Sequence, residues 1–205
     1  MDNLIAANIR QRPIRSLVSV VGVALGVALV MLFTGLARGM SNDLQRRSQN
    51  LRAEIIFTRP GTMDNLTSST ANLSTKYAEK LKAIEGVESA TPVIRYVIQG
   101  GSGFGFEQVE GVDWESFSQM NALKLVEGRP PVPRDEAARQ SDAPVEVVID
   151  ETKAKNSNVG VGGMLKLFGD IPHRVVGIYA PESGARVKMA LNDMQERLEA
   201  PGKCT

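Results

Sequence analysis

The longest apolar segment of the chain covers residues 16–37 and reads SLVSVVGVALGVALVMLFTGLA. It contains no charged residue, no Asn or Gln and no proline, and it lies between Arg15 and Arg38. As an α-helix the segment would be about 33 Å long, which is enough to cross a hydrocarbon core of about 30 Å. Because a helix satisfies its own backbone hydrogen bonds in lipid, this pattern predicts a transmembrane helix over residues 16–38.

Two other interpretations of such a segment are less favoured. A helix buried in the core of a soluble protein usually keeps a polar face, and this segment has none. A cleaved signal peptide has an apolar region of about 7–15 residues, shorter than this one. The Gly35-Leu36-Ala37 triplet does have the small-x-small form of a cleavage site. The length of the apolar segment favours an uncleaved membrane anchor.

Both flanks of the span have a pattern of their own. Residues 1–15 place apolar side chains such as Leu4 and Ile5 among polar ones and predict a short amphipathic helix at the membrane surface. Residues 39–52 predict a stalk helix that continues into water, with its arginines facing solvent or lipid headgroups. Since arginines lie on both sides of the span, charge alone does not fix its orientation.

Small residues recur within the span at intervals of four. Gly22 and Gly26 form one pair, and Gly35 and Gly39 form a second. Residues four apart lie on one helix face, and the absence of a Cβ lets another helix approach closely. These four glycines are the predicted helix-packing residues, although glycine is common in membrane helices in general.

The rest of the chain, residues 53–205, has the length of one ordinary domain. Short β-like runs alternate with short helical ones, and Gly or Pro turns separate them, which predicts an α+β fold. The predicted strands cover 53–61, 106–113, 145–150, 173–180 and 185–191. Residues 87–101 are predicted to be extended, 123–129 to form a short element, and 158–168 to form a turn followed by a strand. The predicted helices cover 74–86, 114–119, 151–156 and 192–198, and the predicted loops include 62–72, the hairpin tip 100–105 and the charged stretch 130–144.

Composition argues against several classes of function. The net charge is +1 and aromatic residues make up 5% of the chain, which disfavours nucleic-acid binding. Cys204 is the single cysteine, so no intrachain disulfide forms, and His173 is the single histidine. We expect His173 to be a turn residue after Pro172. With these few ligands, no metal or other cofactor is predicted.

An enzymatic function is the least favoured hypothesis. Asp113, Glu115, Asp150 and Glu151 offer carboxylates for acid–base chemistry, but their spacing does not require it. The glycine clusters at 100–105 and 160–163 lack the Lys-Ser/Thr pair of a phosphate-binding loop. We therefore predict no enzymatic activity for this chain.

An ordered series of stretches resembles one family. Arg15-Ser16 followed by VVGVALGVALV and a glycine at position 39 resembles the first membrane helix of the MacB/FtsX/LolC-type ABC transporter permeases. The part that follows resembles their MacB-like periplasmic core domain. The supporting stretches are EIIFTRPG, LKAIEGVESATPVI, VEGVD, LKLVEGR, VVIDETKAKNSNVGVGGMLKLFG and HRVVGIYAPESG.

The resemblance implies an arrangement in the inner membrane of a bacterium. The amino terminus would be cytoplasmic, and residues 53–205 would be periplasmic or extracellular. They would form a mixed α/β, porter-like subdomain with a β-rich, sabre-like insertion at about 114–180. Such permeases dimerise, as homodimers or heterodimers, and work with an ABC ATPase. ATP-driven closure moves the stalk and the periplasmic domain, a process called mechanotransmission, in export or lipoprotein handling.

The sequence departs from the family pattern at its end. Family members continue through further membrane helices, whereas this sequence ends in PGKCT and carries no Walker motif. We therefore expect it to be the N-terminal part of a longer permease rather than a truncated gene product. The competing hypothesis is a signal-anchored extracytoplasmic binding module that has no ATPase partner.

Overall fold

The computed structural model describes residues 13–58, 73–99, 106–135 and 143–205. The chain divides into two compact units, Met1–Gln45 and Arg46–Thr205. Helix α1 covers Pro13–Gln49, so that its last four residues belong to the second unit. Among the described residues, α1 is the one helix that is long and apolar enough to cross a membrane. The predicted apolar N-terminal helix is therefore confirmed, and it continues without a break as far as Gln49. The division of this helix into a membrane span and a stalk stays a prediction.

The second unit contains short strands and helices, most of them at positions that the sequence predicts; the strands at Leu73–Ser74 and Lys203–Cys204 are additional. The described strands are β1 (Leu73–Ser74), β2 (Val93–Gln99), β3 (Phe106–Val112), β4 (Lys124–Gly128), β5 (Val145–Asp150), β6 (Met164–Leu167), β7 (Ile171–Ala180), β8 (Val187–Ala190) and β9 (Lys203–Cys204). The helices are α2 (Lys76–Lys82), α3 (Trp114–Met120), α4 (Glu151–Ser157) and α5 (Leu191–Arg197). The predicted α+β class is confirmed.

Seven of these strands form one mixed sheet in the described part of the chain. Its order is β2-β3-β8-β5-β7-β4, and β6 pairs with β7 outside this path. The β3–β8 and β5–β7 pairs are parallel and the other pairs are antiparallel. Strands from the predicted insertion and from the porter-like part thus share one sheet. The boundaries of that insertion stay a prediction.

The sheet has a packed core on each face. Successive residues of β5 alternate between the two cores: Ile149 packs in the cluster that includes Met194 of α5, and Val148 in the cluster that includes Phe117 of α3. Helix α5 packs closely on β3 at Gly111, where a Cβ would be 2.5 Å from the Cβ of Met194. This alternation follows from the two-residue period of a strand that is covered on both sides.

Two sequence predictions are wrong within the described residues. Residues 53–58 form no strand, and Ile55 is 85% exposed, because this apolar run has no pairing partner in the described part of the sheet. His173 lies inside β7, as the predicted strand 173–180 implies, and is buried rather than the turn residue expected after Pro172. The turn that precedes it is completed by Phe168 and Gly169, both at positive φ, so the strand already begins at Ile171.

Several predicted segments lie wholly or largely outside the described residues. They are the amphipathic start of the chain, the polar loop 62–72, the hairpin tip 100–105 and the central part of loop 130–144.

Candidate functional site

The end of helix α1 carries a buried arginine. Arg47 donates from Nη1 to Oδ2 of Asp150 at 2.8 Å, and the two side chains are 7% and 0% exposed. Its Nη2 lies 3.4 Å from Oε2 of Glu182, and its Nη1 also reaches the carbonyl oxygen of Gly184 at 3.4 Å. The prediction that the stalk arginines face solvent or headgroups is therefore wrong for Arg47. Its neighbour Arg46 does remain 66% exposed at the side chain.

Asp150 has a second partner besides Arg47. It is the last residue of β5 and the N-cap of α4, and its Oδ1 accepts a 2.6 Å hydrogen bond from the backbone N–H of Lys153. One carboxylate therefore caps a helix and neutralises a buried guanidinium. Both of its oxygens are engaged, which leaves no free carboxylate for the acid–base role considered from the sequence.

The other carboxylates considered for catalysis lie at helix starts. Asp113 is the N-cap residue of α3 and accepts a hydrogen bond from Ser116 Oγ at 2.8 Å. Glu115 lies in the first turn of α3. Glu151 lies in the first turn of α4 and pairs with Lys155 one turn later. Each position suits helix stabilisation, since carboxylates at an N-terminus interact favourably with the helix dipole.

The loop of residues 181–186 connects β7 to β8 and lies beside Arg47. Glu182 accepts a hydrogen bond from the hydroxyl of Thr152, and its backbone carbonyl accepts one from Asn50 Nδ2 at 2.5 Å. Asn50 in turn accepts a long hydrogen bond, 3.5 Å, from Ser183 Oγ at its carbonyl oxygen. Residues immediately after α1 are thus bonded to the same loop as Arg47.

A buried lysine, Lys188, donates hydrogen bonds to backbone carbonyl groups of the same loop. Lys188 Nζ donates to Glu110 Oε2 at 2.7 Å and to the carbonyl oxygens of Ser183 and Ala185 at 2.8 Å each. These three acceptors match the three protons of an ammonium group. The rings of Phe117 and Tyr179 lie 5.1 Å from Nζ and add cation–π contacts.

The environment of this lysine perturbs its titration. Desolvation lowers the pKa of Lys188, although the nearby carboxylate of Glu110 opposes the shift. Glu110 also accepts from Arg95 Nε of β2 at 3.1 Å, so its carboxylate joins a buried cation to a partly exposed one. Tyr179 donates its hydroxyl to the carbonyl of Ala185, and desolvation raises its pKa. The hydroxyl of Tyr179 is therefore protonated at neutral pH.

The predicted helix-packing glycines all lie within α1. At Gly22, Gly26, Gly35 and Gly39 an added Cβ would meet no atom of the described residues within 4 Å, apart from the neighbouring helix backbone. These positions are therefore open to a second helix or to lipid, and their packing role stays a prediction. In the described ranges, no group of three or more His, Cys, Asp or Glu residues is arranged to hold a metal ion.

The family model for the MacB-like periplasmic core domain matches residues 16–202. The chain belongs to this family. The match extends from the start of the apolar segment through β8, α5 and the turn that follows. It identifies the chain as a MacB-like domain of the ABC transporter permease type, as the resemblance implied.

Three solved structures resemble parts of the chain, and the first of them supports the fold. The periplasmic region of MacB from Actinobacillus actinomycetemcomitans superposes with a TM-score of 0.50 at 21% identity, over 72% of this chain and 69% of that one. The extracellular domain of the noncanonic ABC-type transporter YknZ from Gram-positive bacteria gives 0.47 at 13% identity, over 65% and 70%. A domain of a putative permease from Porphyromonas gingivalis gives 0.40 at 20% identity, over 60% and 59%. No curated protein sequence matches the chain.

The residues that sequence reasoning missed in this MacB-like domain are Arg47, Glu110, Glu182 and Lys188. Arg47 and Asp150 are 103 positions apart in the chain, and Glu110 and Lys188 are 78 apart. Local periodicity carries no signal for such pairs. One weak signal was available at Lys188, a lysine flanked by Val187 and Met189 in a short strand, because charged residues are almost never fully buried unless they are paired.

Proposed function

We propose that the chain is the membrane-anchored N-terminal portion of an ABC transporter permease subunit. It transmits ATP-driven motion to a periplasmic domain for export or for the handling of lipoproteins or other substrates. The domain lies on the periplasmic side of the inner membrane, and the amino terminus is cytoplasmic. The permease works as a homodimer or heterodimer with an ABC ATPase, which it contacts through regions other than those described.

One observation carries this proposal. Helix α1 runs without a break from the apolar segment to Gln49, and its last turn places Arg47 in a buried ion pair with Asp150. A buried guanidinium that leaves its carboxylate strands both charges in a low-dielectric environment. The end of α1 therefore cannot move far without either moving β5 and α4 or breaking this pair. A buried ion pair between the end of α1 and the domain suits a helix that transmits its own displacement to that domain.

Association with an ATPase tests the first part of the proposal. The longest reading frame that contains this sequence is co-purified in mild detergent with the ATPase encoded beside it. Stoichiometric recovery of both proteins supports a permease. A frame that purifies without the ATPase supports the alternative, a signal-anchored binding module.

Nucleotide-dependent motion tests the second part. A spin label is attached at position 166 through Lys166→Cys in a Cys204→Ser background. The side chain at this position of β6 is exposed. In the assembled transporter, trapping the ATP-bound state should change the distance between the labels of two copies. Arg47→Gln should reduce that change, whereas Arg129→Gln, which removes an exposed ion pair with Glu146 away from the stalk end, should leave it intact. An unchanged distance on ATP binding would contradict mechanotransmission.

A further inference from the structure

The loop of residues 181–186, which we call the clamp loop, accepts hydrogen bonds from two directions in alternation. The carbonyl oxygens of Glu182 and Gly184 accept from Asn50 and Arg47, at the end of the stalk. The intervening carbonyl of Ser183 and the following one of Ala185 both accept from Lys188. Four consecutive carbonyl groups thus accept from the stalk end and from one buried ammonium group in turn, and that of Ala185 also accepts from the hydroxyl of Tyr179.

A contact inside the loop ties it to the sheet as well. Gly184 has φ of +56°, and a Cβ there would lie 2.8 Å from Oε1 and 2.9 Å from Oε2 of Glu110. The loop backbone therefore lies directly against the carboxylate that holds Lys188 and Arg95. From Arg47 to Arg95 the contacts run through the clamp loop and Glu110 to strands β3 and β2.

We propose that the clamp loop couples the stalk end energetically to the buried Lys188–Glu110 pair. Displacement of Arg47 then changes the stability of the contacts that Glu110 makes on strands β2 and β3. The inference deepens the proposed function and rests on it for its biological role. Arg47, Glu182, Gly184 and Lys188 act as positioning residues in this route.

The physical reason is the alternation of the carbonyl groups. The loop is short and is fixed at both ends by β7 and β8. Rotating the carbonyls of 182 and 184 away from Arg47 and Asn50 therefore requires compensating changes in the φ and ψ angles between them, which also reorient the carbonyls of 183 and 185. Lys188 is 0% exposed and cannot replace a lost carbonyl with water. Its remaining bond to Glu110 must then change, because a buried cation with unsatisfied protons is unfavourable. A change at one end of the loop thus alters the free energy of the other.

A double-mutant cycle on the full chain in detergent tests this coupling. Arg47→Gln removes the stalk-end charge, and Glu110→Gln keeps the shape of the buried partner but removes its charge. Unfolding is followed by the fluorescence of Trp114, the single tryptophan of the sequence, whose ring lies 6.0 Å from that of Tyr179. If the two sites were independent, the unfolding equilibrium constant of the double variant would change by the product of the two single changes. We expect the measured change to differ from that product by about fivefold or more.

A matched cycle controls for nonspecific effects of lost charge. Arg47→Gln is combined with Glu146→Gln, whose carboxylate pairs with Arg129 away from the clamp loop. The change in the unfolding equilibrium constant of this double variant should equal the product of the two single changes to within about twofold, as expected of independent sites. If the Arg47–Glu110 cycle also multiplies to within that limit, the proposed coupling is wrong. If Arg47→Gln prevents folding, Arg47→Lys, which keeps the charge but loses the guanidinium fork, replaces it in both cycles.

The cycle is independent of the proposed function. It is measured on this chain without an ATPase, so a coupled clamp loop would stand even if no ATPase associates with the protein. Conversely, co-purification with an ATPase and independent Arg47 and Glu110 effects would support the transporter and overturn the route described for it.

Discussion

Gly184 lies directly against the carboxylate of Glu110. That carboxylate occupies the space in which any other residue at position 184 would place its Cβ. Its φ of +56° is also one that side chains rarely adopt. Gly184→Ala should therefore lower the free energy of unfolding by about 2–4 kcal/mol, because alanine is strained in the left-handed backbone conformation and its Cβ displaces a buried carboxylate. Chemical denaturation of the full chain in detergent measures this loss.

Gly202→Ala is the matched control for that variant. Gly202 has a similar φ of +67°, but an added Cβ there meets no atom within 4 Å. Its cost should be only the backbone term, about 1–2 kcal/mol. Equal losses at the two positions would show that the contact with Glu110 contributes nothing.

The buried pair of Lys188 and Glu110 should be costly to break from one side. Lys188→Met leaves a buried carboxylate with Arg95 as its remaining cation and should cost about 3–5 kcal/mol in unfolding free energy. Adding Glu110→Leu removes the stranded charge and should restore much of the stability, since apolar replacement of both partners is often nearly neutral. The measurement is again denaturation in detergent.

An exposed ion pair is the control for this prediction. Lys166 pairs with Asp170 in the β6–β7 hairpin, and both side chains are well exposed. Lys166→Met should change the unfolding free energy by less than about 1 kcal/mol. A Lys188→Met loss of the same size, or a double variant less stable than the single one, would contradict the stated role of the buried pair.

The two functions of Asp150 can be separated by substitution. Asp150→Ser keeps a good N-cap for α4 but loses the charge that faces Arg47, whereas Asp150→Ala loses both. Each should cost about 3–5 kcal/mol for the broken buried pair. Asp150→Ala should be less stable than Asp150→Ser by about a further 1 kcal/mol. A serine variant as stable as the unmodified chain would mean that the Arg47 pair does not stabilise the domain.

His173 should make the stability of the domain depend on pH. Desolvation by burial lowers its pKa below the ordinary 6.5, with the positive charges of Arg197 and Arg134 acting in the same direction against the bond from Nδ1 to the carbonyl of Ile171. The unfolded chain then binds a proton at higher pH than the folded one. The stabilising contribution is complete above pH 6.5 and is lost as the pH falls through the lowered pKa of the folded state.

Comparison of the unmodified chain with His173→Asn isolates this contribution. The difference in unfolding free energy between the two should shrink as the pH falls from about 7.5 to about 5, because asparagine does not titrate. An NMR titration of the single imidazole measures its pKa directly. A pKa above 6.5, or a stability difference that grows on acidification, would mean that burial does not disfavour the protonated imidazole.

Much of the fold was predictable because its signals are local. The apolar run before Arg38 needs no knowledge of the rest of the chain, and the strand β5 follows from six consecutive residues around Val147. The Gly169-Asp170 turn likewise identified the β6–β7 hairpin. The sequence misplaces His173 because a proline before it suggests that the turn is still in progress, whereas Phe168 and Gly169 complete the turn earlier.

The candidate site was not predictable for the opposite reason. Arg47 lies among other stalk arginines with the same local pattern, and only its buried ion pair with Asp150, from a distant part of the sequence, distinguishes it. Residues 53–58 illustrate the same limit. Their β-like composition around Ile55 is a local property, but a strand also needs a partner, and none pairs with it in the described residues.

The glycines of α1 give the last prediction, which concerns assembly in the membrane. If Gly22 and Gly26 form a helix-packing face, Gly22→Leu with Gly26→Leu should weaken association of the permease subunits by roughly tenfold, because bulky side chains separate the two backbones. Energy transfer between labelled copies in lipid nanodiscs or in detergent at varied protein-to-detergent ratio measures the association.

Val23→Leu with Val27→Leu provides the matched control for this face. The pair has the same spacing of four, lies in the same apolar segment and also gains side-chain volume, but it belongs to a neighbouring stripe of the helix. Association should be nearly unchanged in this variant. Equal weakening by both pairs would indicate a general effect of bulk in the span, and no weakening by the glycine variant would mean that Gly22 and Gly26 face lipid.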